Sequence, residues 1–155
     1  MELNRIAAQE HLVDMIDVEL FSGDDIVRQL VDIAHNANVP VVISNHDFEK
    51  TPCQEKLVER MKRAEALGAD ILKIAVMPQS KRDVLSLLCA TEQMSRESGC
   101  PLITMSMGKN GIISRLSGEI FGSSVTFGTI GMASAPGQID LDSMNNVLDL
   151  LHQTL

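Results

Sequence analysis

The feature that most limits what this chain can fold into is a strand-then-helix alternation, repeated five times at intervals of about thirty residues. Strand-like runs lie at Val13–Leu20, Val39–His46, Ala69–Met77, Pro101–Met107 and Val125–Ile130. Each is followed by a segment of helical period: Ile26–Asn36, Gln54–Leu67, Lys81–Ser98, Arg115–Phe121 and Leu141–His152. Met1–Leu12 reads as the tail of a further helix, with no capping residue ahead of it. This order predicts parallel strands joined by right-handed crossovers. With 155 residues, 45% of them hydrophobic, the chain is long enough for one domain with a real core. Two architectures fit: an open doubly wound sheet, complete with five strands, or part of an eight-stranded barrel, which needs about 250 residues. No Gly-x-Gly-x-x-Gly follows the first strand, so a dinucleotide fingerprint is missing. Both folds place ligands at the carboxyl ends of the strands, where this sequence collects its polar residues.

One strand carries an anomaly. In Ala69–Met77, Ile71, Lys73, Ala75 and Met77 share one face and Leu72, Ile74 and Val76 the other, so a lysine interrupts an otherwise apolar strand. A lysine desolvated there tends to lose its proton and becomes a nucleophile toward carbonyls. The competing reading is a lysine that snorkels to water or pairs with a carboxylate. His46 ends the second strand on the face of Ser44, and an imidazole beside a reactive amine supplies proton transfer. Met105 and Met107, at strand spacing, read as core or as the wall of an apolar pocket.

Composition excludes several classes. A formal charge of -8 and the lack of any basic run argue against nucleic acid or an anionic membrane as the main partner, so single cations such as Lys73 and Arg115 become informative. The three cysteines, Cys53, Cys89 and Cys100, form no Cys-x-x-Cys pair and read as reduced thiols. Histidines and carboxylates nowhere take metal-site spacing, and Gly108–Gly111 lacks a P-loop frame, so neither metal nor nucleotide cofactor is expected. With no apolar run of membrane-spanning length and no signal-like start, the expectation is a cytoplasmic protein.

Taken together, the strings Asp14-Met-Ile-Asp-Val-Glu-Leu20, Ser44-Asn-His-Asp-Phe48 with Lys50-Thr-Pro52, Lys73-Ile-Ala-Val-Met-Pro78, Ile103-Thr-Met-Ser-Met107, Ser114-Arg115 and Ser134-Ala-Pro-Gly-Gln138 resemble the type I 3-dehydroquinate dehydratase family, in order over essentially the whole chain. The resemblance implies an α/β fold of the (β/α)8 TIM-barrel family. It also implies a cofactor-free lyase of the shikimate route, which converts 3-dehydroquinate to 3-dehydroshikimate and water through a Schiff base. On that likeness Lys73 forms the imine and His46 is the general acid and base. Arg115 grips the substrate carboxylate, Ser134 and Gln138 belong to a closing loop, and Met105, Met107 and Phe127 line the ring pocket. A class I aldolase-like barrel enzyme would share the lysine. A noncatalytic remnant that binds only ligand or a partner subunit is the reading from another class.

The resemblance covers the last five of eight strand-helix units, so the expected architecture is a single partial barrel over 1–155 that lacks the first three. Those units carry, in the family, a Glu that orients the catalytic histidine and further substrate contacts. Asp17 and Glu19 lie on the fourth strand of that scheme and are not expected to stand in for the orienting Glu. Open edges at the first and last strands lead to a further expectation, a homodimer or a partner chain that covers them.

Overall fold

The computed structural model describes residues 2–155. Met1, placed by the sequence in the opening helix, lies outside the described residues; the helix itself, α1, spans Glu2–Gln9. Four strands follow, β1 (Ile16–Glu19), β2 (Val41–Asp47), β3 (Ile71–Val76) and β4 (Leu102–Ser106), all parallel and in the order β1-β2-β3-β4. The helices α2 (Asp24–Asn36), α3 (Gln54–Ala66) and α4 (Lys81–Glu97) connect them. Helix starts follow local chemistry. Ser80 caps α4 by accepting from the Asp83 amide while Asp83 reaches back to the Ser80 amide, and Asp140 accepts from Ser143 N at 2.9 Å at the start of α7 (Leu141–His152).

Register divides the sheet into two unlike faces. Pairing of Ile16 with Val41, Ile43 with Leu72 and Leu72 with Leu102 aligns one set of residues, and these bury against Val27, Leu30, Leu57, Met61, Leu87 and Met94 from the helices. The opposite set, which includes Asp17, Glu19, Ser44, His46, Lys73, Ala75, Ile103 and Met105, carries the polar groups. α2, α3 and α4 therefore contribute to the core from one side only. The other face is the inner face of a barrel-type sheet, and among the described residues no strand pairs with the outer edge of β1, where Asn4 Nδ2 of α1 donates to Asp17 O at 2.8 Å.

The fifth strand expected at Val125–Ile130 does not form, and the sheet stops at four. On the outer edge of β4 the amides that a fifth strand would engage already have partners. Thr104 N donates to Ser123 Oγ at 3.0 Å and Ser106 N to Ser114 Oγ at 2.8 Å. One backbone contact remains, Ser124 N to Leu102 O at 2.7 Å, after which the chain crosses the inner face. The helix expected at Arg115–Phe121 begins earlier and breaks at Ser117, giving α5 (Ile112–Leu116) and α6 (Gly118–Phe121).

Candidate active site

Lys73 projects from β3 onto the inner face, where its side chain is 16% exposed and its Nζ donates to Asp17 Oδ2 at 2.7 Å. Asp17 is itself held by the Ser44 hydroxyl. Three strands thus supply one ion pair, with the carboxylate of Asp17 partly open to solvent: the lysine is shielded, as its strand predicts, and also partnered, as the competing reading had it. The Phe127 ring lies 5.6 Å from Nζ and covers it from the segment that failed to become a strand.

His46 comes from β2, two residues beyond Ser44, the register partner of Lys73. Its Nδ1 lies 2.9 Å from Glu19 Oε2, and its backbone amide donates to the same oxygen at 3.2 Å. A carboxylate only accepts, so Nδ1 carries the hydrogen and Nε2 is left as the free ring nitrogen. Among the described residues Glu19 is therefore the carboxylate hydrogen-bonded to this ring, a contact the sequence did not lead one to expect. The reason is register: Glu19 pairs with Ser44, so its side chain starts one step behind His46 on the same face and reaches forward to the ring. Burial alone would raise the Glu19 carboxyl, but hydrogen bonds from His46 and Asn45 and the charge of His46 outweigh it and hold it below the usual range. Phe48 stacks on the imidazole at 6.0 Å.

Arg115, from α5, is 1% exposed and has no carboxylate partner among the described residues. Its contacts are weak: the carbonyls of Phe127 and Pro136 at 3.4 Å each and Met105 Sδ at 3.7 Å, while Nε has none. Burial pushes its pKa down. A desolvated guanidinium without a counter-ion is a standing invitation to an anion. The Ser134–Gln138 segment closes over this end. Gln138 Oε1 accepts from Ser134 N and Ala135 N at 2.7 and 3.1 Å, and Gly108 N donates to Pro136 O at 3.0 Å. Gly137, at φ +77°, fits only because it has no side chain: a Cβ there would stand 2.4 Å from Gly108 O.

These groups enclose a cavity of about 230 Å³, lined by all eight residues singled out from the sequence: Lys73, His46, Arg115, Ser134, Gln138, Met105, Met107 and Phe127. Phe48, Ala75 and Ala135 complete the wall. Sequence reasoning missed Phe48, although its spacing of two from His46 was a usable signal; it placed Asp17 and Glu19 among the polar residues of the first strand but did not assign their pairing with Lys73 and His46. A larger cavity of about 410 Å³ lies between α6 and α7, lined by Glu119 and Asp149 among others, but it holds neither the lysine nor His46.

A model of the family described as Type I 3-dehydroquinase matches residues 1–155. The chain belongs to the type I 3-dehydroquinase family. Similar relatives include the 3-dehydroquinate dehydratase of Salmonella typhimurium strain LT2, 57% identical over 99% of this chain and 61% of that protein. Among solved structures, the type I 3-dehydroquinate dehydratase of Clostridium difficile with covalently modified comenic acid superposes at a TM-score of 0.95 and 53% identity, over 99% of this chain and 61% of that one. The 3-dehydroquinate dehydratase of Geobacillus kaustophilus gives 0.95 at 43% identity, over 98% and 59%. This family member thus spans about three fifths of the length of those relatives. Its fold is the parallel α/β arrangement of the TIM-barrel family, in four strands with flanking helices.

Proposed function

We propose that this chain carries the Schiff-base chemistry of a 3-dehydroquinate dehydratase, a hydro-lyase of the cytoplasm that forms 3-dehydroshikimate and water. The observation that carries the reading is the convergence on one cavity of a shielded lysine with its own counter-ion, a histidine with one nitrogen committed, and a buried guanidinium with no counter-ion. The amine of Lys73, once deprotonated, adds to the substrate ketone and expels water. The resulting iminium bears the same single positive charge as the ammonium it replaces, so Asp17 faces an unchanged charge.

As an electron sink the iminium acidifies the neighbouring carbon, and His46 Nε2 takes that proton. Electrons then expel the hydroxyl one carbon further on, His46 returns the proton to it as it leaves as water, and a second water hydrolyses the imine. Arg115 holds the substrate carboxylate in a bidentate manner. Ser134 and Gln138 close over the ring hydroxyls and keep bulk water out, and Met105, Met107 and Phe127 line the apolar side of the pocket.

A second reading, a binding-only remnant, has one observation in its favour: among the described residues no strand pairs with the outer edge of β1, and the inner face beside it is open. We therefore infer that residues 1–155 form a single partial barrel, which pairs with a second copy or a partner chain and turns over slowly alone. Turnover tests both readings: formation of the conjugated enone from 3-dehydroquinate, slow in the parent and absent in Lys73→Ala, supports the dehydratase, and equal rates in the two would overturn it. A compact monomer at all concentrations in sedimentation would overturn the pairing.

A further inference from the structure

His46 is held by more than Glu19. Asn45, the residue before it, is on the opposite, helix-facing side of β2 and is 2% exposed. Its Nδ2 donates to Glu19 Oε1 at 3.1 Å, and its Oδ1 accepts from Arg60 Nη1 at 2.7 Å. Arg60, on α3, is steadied by Asp47 Oδ2 at 3.7 Å and by the Phe21 ring, whose centroid lies 5.3 Å from the guanidinium carbon.

We infer that Arg60 and Asn45 are positioning residues, which fix the imidazole of His46 through the Glu19 carboxylate from the helix side of the sheet. This rests on the dehydratase reading for its consequence but not for its geometry. An asparagine amide has two unlike ends, and only the neighbours decide which faces where. A guanidinium donates and never accepts, so Arg60 pins the amide oxygen, and the NH2 must point at Glu19. Reversed, the amide would set an oxygen against a carboxylate and a donor against a cation. Burial of Asn45 leaves no room for solvent to take over either bond.

The chain Arg60→Asn45→Glu19←His46 therefore saturates one carboxylate oxygen from the helix side and reserves the other for the ring. The nearby charges are already engaged: Asp17 of β1 by Lys73 of β3, and Asp47 of β2 by Arg60 of α3. Among the described residues Glu19 is thus the carboxylate in contact with the ring of His46.

The test is nuclear magnetic resonance on the whole chain, following the ring nitrogens of His46 and the side-chain carboxyl of Glu19 in the parent, Arg60→Met, Arg60→Lys and Asn45→Leu. Expected in the parent is a hydrogen on Nδ1, directed at Glu19. In Arg60→Met and Asn45→Leu the Glu19 titration midpoint rises by about one pH unit and the Nε2-protonated tautomer appears. Arg60→Lys, which keeps a donor at the amide oxygen, stays nearer the parent. Should Asn45→Leu fail to fold, Arg60→Met, at a half-buried position of α3, still gives the readings. Unchanged tautomer and midpoint in Arg60→Met, with only a lower unfolding midpoint, would mean a merely structural role and would overturn the inference. Covalent trapping on Lys73 in the same samples reports separately on the dehydratase reading, so failure of one is not mistaken for failure of the other.

Discussion

Replacing Arg115 with methionine should move stability and ligand binding in opposite directions. Among the described residues the guanidinium makes two carbonyl contacts at 3.4 Å and one sulfur contact at 3.7 Å, and Nε has no partner. An unsatisfied buried polar group costs about 1–3 kcal/mol, and each long neutral-acceptor bond returns about 1 kcal/mol or less. A methionine keeps most of the apolar stem and removes the uncompensated charge, and swapping buried charge for apolar volume is commonly neutral or stabilising. The expected change is a gain of about 1 kcal/mol in unfolding free energy without ligand, within a range of about 0–2.

With a carboxylate bound, the sign reverses. Truncating one partner of a buried charge pair costs about 2–5 kcal/mol, which is roughly thirtyfold or more in affinity. Urea titrations at one fixed protein concentration, with and without a hydroxylated cyclohexanecarboxylate that lacks the ketone, read both effects. At a ligand concentration of about 100 times the parent's Kd, the parent should gain about 2.7 kcal/mol and the variant about 0.9 kcal/mol or less. Loss of more than about 2 kcal/mol in the ligand-free variant, or an undiminished ligand effect, would refute the argument that Arg115 is a buried cation kept for an anion.

Two further outcomes follow from the same geometry. Gly137→Ala puts a Cβ 2.4 Å from Gly108 O at a left-handed φ of +77°, so the Ser134–Gln138 segment should lift; amide exchange in that segment should speed up at least tenfold while the sheet amides keep their rates, and equal protection throughout would count against the closure described here. Glu19 has its pKa lowered in the fold, so its contribution to stability is fully present above the ordinary carboxyl value of about 4.3 and is lost as pH falls through the depressed folded value. The stability difference between the parent and Glu19→Gln should accordingly be constant near neutral pH and shrink below about pH 4, and a difference that grew on acidification would contradict the assignment.

Much of this arrangement was legible in the residues themselves. The runs that became β2, β3 and β4 are apolar and bounded by Pro, Gly or a change to polar residues, and the structure starts them within two residues and ends them within one residue of the expected points. Lys73 stood out because it interrupts such a run, and His46 because it follows Ser44 at a spacing of two. Val125–Ile130 misled because its alternation is strand-like, whereas what denies it a ladder is the choice of Ser123 and Ser114 hydroxyls as acceptors for β4, a tertiary competition that local pattern does not record. That Glu19 meets His46 went unforeseen for a similar reason. Which carboxylate meets which imidazole depends on register between two strands twenty-seven residues apart, and a single sequence carries hydrophobic phase but not register. Arg60 lay a full helix away, on a face that reads as solvated.

The most direct measurement is intact-mass and peptide mass spectrometry after the chain is mixed with 3-dehydroquinate and reduced with borohydride. The account predicts one covalent adduct per chain, mapped to Lys73, and none in Lys73→Ala. An adduct spread over several surface lysines, or one that persists in Lys73→Ala, would contradict it.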